Sequence, residues 1–135
     1  MITAVDTNVL LDVFTDDAEF GGRSADALRR CMAEGSLIAC DVVWAEVGAW
    51  FPDGQAAEDA LSRLRVGYSP LDVATALAAG SAWQAYRRAG GTRERVMADF
   101  LIGAHATEQA DRLLTRDRGF YRSRFTGLPV IDPTG

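Results

Sequence analysis

The sequence contains no lysine: all 14 of its basic residues are arginine. It has one histidine, two cysteines and four prolines in 135 residues, and no apolar run near the ~20 residues of a membrane span. Each scarcity excludes something. Without lysine there is no Gly-x-x-x-x-Gly-Lys loop for nucleotide phosphates. Phosphatase and receiver folds that pair a strand-end Asp with a Lys fall with it, and the phosphatase kind also wants a second Asp where the chain has Asn8. His105 reads as a packed side chain, which leaves no histidine for a hydrolytic triad. Cys31 and Cys40 belong to no Cys-x-x-Cys or Cys/His cluster. They read as reduced, apolar residues of a cytosolic protein and not as zinc ligands. The N-terminus lacks the basic region of a signal peptide. The chain therefore reads as one cytoplasmic domain over residues 1–135, away from membranes, with enough residues to bury a core.

Apolar residues make up 48% and charged residues 24%, as in ordinary globular proteins. The net charge of −5 argues against a nucleic-acid partner, but it is unevenly spread. Residues 1–86 hold 5 Arg against 13 acids, and residues 87–124 hold 9 Arg against 5 acids, a local balance of +4. Phosphate binding depends on such local patches more than on the total. Solvated helix faces account for the same pattern.

Short apolar runs alternate with helical patterns. Strands are expected over Ile2–Asp6, Ser36–Cys40, Gly67–Pro70, Arg112–Thr115 and Val130–Ile131. Helices are expected over Thr7–Thr15, Ser24–Glu34 and Gly54–Leu64, from an Asp41 N-cap to Phe51, and from an Asp72 N-cap to Arg88. The last is expected to start at Thr92 or Arg93 and end near Gln109. Residues 16–22 read as a loop. Alternation of this kind specifies an α/β fold, a parallel sheet covered by helices on both faces.

Four carboxylates interrupt or end apolar runs. Asp6 closes Ile2–Val5, Glu46 interrupts Val42–Val47, Asp99 is set in Val96–Ile102, and Asp117 follows Leu113–Arg116. An unpaired carboxylate withdrawn from water costs several kcal/mol, so four such cases need compensation. A divalent cation with hard oxygen ligands, Mg²⁺ or Mn²⁺, supplies it for converging acids. Ligands of α/β sheets bind at the carboxyl ends of the strands, where strand order reverses. Asp6 and Asp117 share such a crevice if their strands are neighbours, and Glu46 and Asp99 open onto it from helix starts. Each acid also has a plainer role: Asp6 as a helix cap, Asp117 as a turn residue, Glu46 and Asp99 as partners of arginine. Asp12, Asp16, Asp17 and Glu19 read as solvated.

Taken together, Asp6-Thr7-Asn8-Val9-Leu10-Leu11, Val42-x-x-Ala45-Glu46-Val47, Asp99-Phe-Leu-Ile-Gly-Ala-His-Ala and Leu114-Thr115-Arg116-Asp117-Arg-Gly-Phe120 resemble a PIN domain. More narrowly they resemble VapC, the ribonuclease toxins of type II toxin–antitoxin pairs. The likeness spans nearly the whole chain, and all four acids match. It implies a PIN-like (Rossmann-like) parallel sheet of order 3-2-1-4-5, a pocket for Mg²⁺ or Mn²⁺, RNA as substrate, a VapB-type antitoxin partner, and a homodimer or a larger assembly with the antitoxin. The acidic pI of 4.8 departs from what an RNA enzyme suggests. In this reading Asp6 and Asp99 coordinate the metal, Asp117 completes the shell, and Glu46 holds a water or acts as base. Thr115 orients an acid or contacts phosphate, and Arg93, Arg95 and Arg116 meet the phosphates; a surface role serves each arginine equally. The alternatives are a PIN-like module that binds RNA or protein without cutting, and a PIN nuclease of RNA processing. Trp44, Trp50, Phe51 and Leu61 suggest an apolar groove for a partner helix, or ordinary core.

Overall fold

The computed structural model describes residues 1–92 and 94–135. Its elements are β1 (Ile2–Val5), α1 (Thr7–Phe14), α2 (Gly21–Glu34), β2 (Ser36–Ala39), α3 (Asp41–Gly48), α4 (Gly54–Arg63), β3 (Val66–Tyr68), α5 (Val73–Arg88), α6 (Met97–Gln109), β4 (Arg112–Leu114), α7 (Arg118–Arg124) and β5 (Val130–Ile131). The five strands form one sheet of order β3-β2-β1-β4-β5 with every pairing parallel, as the resemblance implied. Consecutive residues are buried in the two central strands, Thr3-Ala4-Val5 in β1 and Leu113-Leu114 in β4. Side chains on both faces of the sheet are therefore covered. The chain steps from β1 outward to β2 and β3, then returns to the other side of β1 for β4 and β5. The reversal falls between β1 and β4, where Val5 pairs with Leu114. The Asp6 N–H extends that pairing by donating to the Leu114 carbonyl at 2.9 Å.

Several expected boundaries move. Helix α2 begins at Gly21, inside the segment expected to be a loop, because the Asp17 carboxylate accepts from the Glu19 and Phe20 N–H groups and turns the chain early. Helix α3 is capped from Cys40, with Asp41 as its first residue, and it ends at Gly48, short of Phe51. Asp72 caps α5 as expected, accepting from the Thr75 N–H. The expected restart at Thr92 or Arg93 is not seen at Thr92, whose carbonyl receives the Tyr86 hydroxyl at 2.7 Å, and Arg93 lies outside the described residues. Helix α6 starts at Met97 instead, behind an extended Val96 whose N–H donates to the Asp99 carboxylate. Helix α7 was not expected; the segment reads as a turn in isolation.

The core joins Val5, Val9, Leu10, Val43, Phe100 and Leu113, all at most 1% exposed, with an aromatic cluster built on Phe100. Gly103 in α6 has a specific packing role. A Cβ there would lie 2.4 Å from the ring of Phe125, so the missing side chain lets the segment that ends α7 approach α6 closely. Of the residues read as either an apolar groove or ordinary core, Leu61 is fully buried in the core, whereas Trp50 is 64% exposed. Among the described residues no helix is long and apolar enough to cross a membrane.

Candidate active site

The strand ends bring the first acid into place. Asp6 follows β1 directly, is 6% exposed, and receives the Thr7 N–H at 2.7 Å, so it also caps α1. Its other oxygen accepts from the Thr115 hydroxyl at 2.7 Å and from Asn8 Nδ2 at 3.3 Å. Even with these donors, burial pushes the Asp6 pKa up to about 6, and the charges of Asp99 and Glu46 push the same way. Asp99, third residue of α6, is likewise raised, first by burial and further by Asp117, against the lowering effects of the Val96 N–H and of Arg95. Charge thus acts between Asp6 and Glu46, between Asp6 and Asp99, and between Asp99 and Asp117, a chain of pairs that marks the crevice at the carboxyl ends of β1 and β4. Mutual repulsion and partial burial are both present, the conditions that raise carboxylate pKa values.

Their surroundings differ. Glu46 is exposed at the rim, where its Oε1 accepts from the Thr7 hydroxyl at 2.7 Å. Asp117 is half-buried at the start of α7 but does not cap it. Its carboxylate is turned to Arg95, which grips both oxygens, one of them at 3.1 Å. The Arg95 guanidinium also lies over the ring of Phe120 at 4.3 Å. Each acid is therefore engaged by a different donor, and among the described residues no three His, Cys, Asp or Glu side chains stand together as a ready ligand set. Nevertheless the donor chemistry fits a hard divalent cation. All four acids offer oxygen, both cysteines are buried, and burial works against the charge on Asp6 in spite of its donors Thr7, Asn8 and Thr115.

Thr115 is fully buried and ties the crevice together, donating to Asp6 and accepting the Asp117 N–H at 3.0 Å. Arg116 does not face the crevice as a free cation. It makes a two-point pair with Asp12 at 2.7 and 3.0 Å and stacks on Phe20 at 4.0 Å. Asp12 is thereby a buried acid, 4% exposed and bonded to Ser24 as well, not the solvated residue expected. His105 is packed as expected, 1% exposed with Nε2 2.9 Å from Ser69 Oγ, and burial lowers its pKa. Arg93 lies outside the described residues.

Three residues at the crevice were not selected from sequence. Thr7 and Asn8 hold Glu46, Asp6 and the Arg116 N–H, and their signal was available as two polar residues opening an apolar helix. Tyr121 is fully buried, and its hydroxyl pKa is raised by burial and then by the charges of Asp6, Asp99 and Asp117. Nothing local marks it, because it arrives with the unexpected α7.

The fold has close parallels. The structure of VapBC2 from Rickettsia felis bound to a promoter DNA fragment matches with a TM-score of 0.74 and 17% identity, over 98% of each chain. That of VapBC-1 from nontypeable Haemophilus influenzae matches with a TM-score of 0.74 and 19% identity over 100% of each. VapC20 of Mycobacterium tuberculosis, a toxin that cleaves the sarcin–ricin loop, matches with a TM-score of 0.55 and 18% identity, over 82% of this chain and 86% of that one. At these identities the likeness concerns the fold. No protein of curated function matches the sequence. Residues 3–125 match the family model of the PIN domain, and the chain belongs to that family.

Proposed function

We propose that this chain is a metal-dependent endoribonuclease acting as the toxin of a VapBC-type pair. The observation that carries the reading is Asp6: a buried carboxylate at the sheet's reversal point, with a pKa near 6 and two further acids acting on it. A module that only binds gains nothing from gathering repelling acids around a buried one. Asp6 and Asp99 would hold Mg²⁺ or Mn²⁺, and Asp117 would join them once Arg95 lets go. When bound, such a cation supplies Lewis-acid stabilisation of the charge that develops on a phosphodiester under attack by water.

The chain's own residues do the rest. Thr115 and the Thr7 N–H fix the orientation of Asp6, which makes Thr115 a positioning residue and not a substrate contact. Glu46, exposed and steered by Thr7, stands where a carboxylate can take a proton from an incoming water. Arg95, freed from Asp117, has two guanidinium edges for a phosphate. Arg116 is committed to Asp12 and serves the frame of the site. The similar folds solved as VapBC complexes support an antitoxin partner, and the exposed Trp50 marks one apolar point on α3's C-terminal side for it to meet. A homodimer, or a larger assembly with antitoxin, working on RNA in the cytoplasm completes the proposal.

The test incubates antitoxin-free protein with total RNA, with Mn²⁺ or with EDTA, and maps new RNA ends. Metal-dependent ends that disappear in Asp99→Asn are expected. An unchanged RNA pool, with metal binding demonstrated by calorimetry, would move the assignment to a non-catalytic binding module.

A further inference from the structure

An open groove of about 510 Å³ lies beside the acidic crevice, lined by Trp83, Arg87, Arg95, Val96 and Met97. The proposed chemistry uses only one of these residues. Its floor is aromatic and fixed. Trp83 meets Phe100 edge-on at 5.3 Å and leans on Tyr86 at 6.0 Å, and Phe100 has no exposure at all. Its lip is apolar yet left to solvent, with Val96 57% and Met97 40% exposed. Its edges are cationic. Arg87 stands 5.9 Å from the Trp83 ring centroid, a wider gap than the closed stacks of Arg116 on Phe20 at 4.0 Å and of Arg95 on Phe120 at 4.3 Å.

The groove and the crevice share a wall. Arg95 lines the groove and holds Asp117 in the crevice, while Met97 and Asp99 are the first and third residues of α6. Arg95 is therefore the side chain past which a strand with its phosphate at the acids would run toward the groove. We infer that this groove is a subsite for one unpaired nucleobase of the RNA strand, flanking the phosphate to be cut, with the base against Trp83 and Met97 and the backbone drawn by Arg87 and Arg95. The inference rests on the ribonuclease reading above. Unpaired bases are recognised by stacking on aromatic rings and guanidinium planes, whereas paired bases leave no free face. The subsite also accounts for how a chain of net charge −5 attracts RNA: Arg87 and Arg95 belong to the stretch whose local balance is +4.

Binding is measured in the cleavage-blocked Asp99→Asn protein with Mg²⁺ present. The probes are fluorescent single-stranded oligoribonucleotides of about ten nucleotides, their duplexes, and strands carrying abasic residues. The single strand is expected to bind at least ~10-fold more tightly than its duplex or its abasic form, and Trp83→Ala to remove most of that preference. Trp83 touches the core, so Met97→Glu and Arg87→Glu, both at exposed positions, test the groove without disturbing Phe100. Each is expected to weaken single-strand binding by roughly 10-fold with the melting curve intact. Equal affinity for intact and abasic strands, or unaltered binding by the exposed variants, overturns the subsite while RNA cleavage by the unsubstituted protein keeps the nuclease reading. A dimer that dissociates in these variants, with RNA affinity unmoved, reassigns the groove to contact between copies. Absence of any RNA cleavage by the unsubstituted protein removes the nuclease reading first, and the subsite with it.

Discussion

Asp6 combines two demands in one side chain. It caps α1 through the Thr7 N–H, and it presents a carboxylate to a crevice shared with other acids. Its pKa, raised from 3.8 to about 6, makes the metal-free protein pH-sensitive. A carboxylate with a raised folded pKa is harmless to stability below about pH 4, where it is neutral folded and unfolded alike. It becomes a burden between about pH 4 and 6, where the unfolded chain ionises and the folded one resists, and the full cost is present above 6. Asn at this position keeps the size of the side chain without that charge. Its one oxygen can still accept the Thr7 N–H, while its amide nitrogen then faces the Thr115 hydroxyl, which has to turn and accept. Asp6→Asn is therefore expected to gain stability over the parent on going from pH 4 to pH 7.5, by on the order of 3 kcal/mol. Urea unfolding of both proteins in EDTA at the two pH values reads the difference, and parallel pH profiles would refute it. The Asp12–Arg116 pair carries a second residue-level prediction. Arg116→Ala leaves Asp12, 4% exposed, with only Ser24 as a side-chain donor, and should lower stability by roughly 3 kcal/mol in the same assay. Asp12 was illegible in the sequence because its burial comes from Ser24 and from Arg116, the latter 104 positions away. The four crevice acids were legible because each stands in apolar sequence, a purely local signal. The Arg95–Asp117 grip, across 22 positions, was not.

At the level of elements, the site depends on where helices begin. Asp99 reaches the crevice as third residue of α6, and that numbering is set by Val96 staying extended while its N–H donates to Asp99 itself. Asp99 was expected near a helix start, and the start at Met97 puts it there, whereas a start at Thr92 or Arg93 leaves it about two turns in. Thr92 was a good capping residue by composition, but the Tyr86 hydroxyl claims its carbonyl and packing decides the matter. Helix α7 is a similar case. Only seven residues long, it is held by Phe120 and Tyr121 against the aromatic cluster, contacts that no local pattern reveals. Where the local signal was strong, the boundary was found, as at the Asp72 cap of α5. Asp72→Ala should lower the melting temperature, as the loss of an N-cap does, without changing any activity. A loss of RNA cleavage with stability unchanged would contradict that separation.

For the whole molecule, the sheet order matters more than any one contact, because the reversal between β1 and β4 creates the crevice. Repelling acids held at such a point store unfavourable charge that a cation relieves, so Mn²⁺ should stabilise the folded chain. At a concentration 100 times its Kd the gain is about 2.7 kcal/mol, or roughly 8–10 °C in Tm for a domain of this size. Differential scanning calorimetry with and without EDTA measures it. The shift should vanish in Asp99→Asn, and a shift that survives there would place the ion elsewhere. Strand direction was readable in advance because short apolar runs alternating with helices indicate a parallel sheet, whereas the strand order was implied only by the resemblance of the four acid-bearing segments to a PIN domain.

The gap at Gly103 gives the site a vulnerability of its own. The ring of Phe125 occupies the volume a side chain would need, 2.4 Å from an added Cβ, and Phe125 directly follows the helix that begins beside Asp117. A side chain at 103 first displaces that ring, and a bulky one presses on the end of α7, the helix that carries Tyr121 and starts beside Asp117. If expression of this chain alone arrests growth, spontaneous escape mutants should include changes at Gly103 as well as at the acids, alleles silenced by misalignment with every reactive group still encoded.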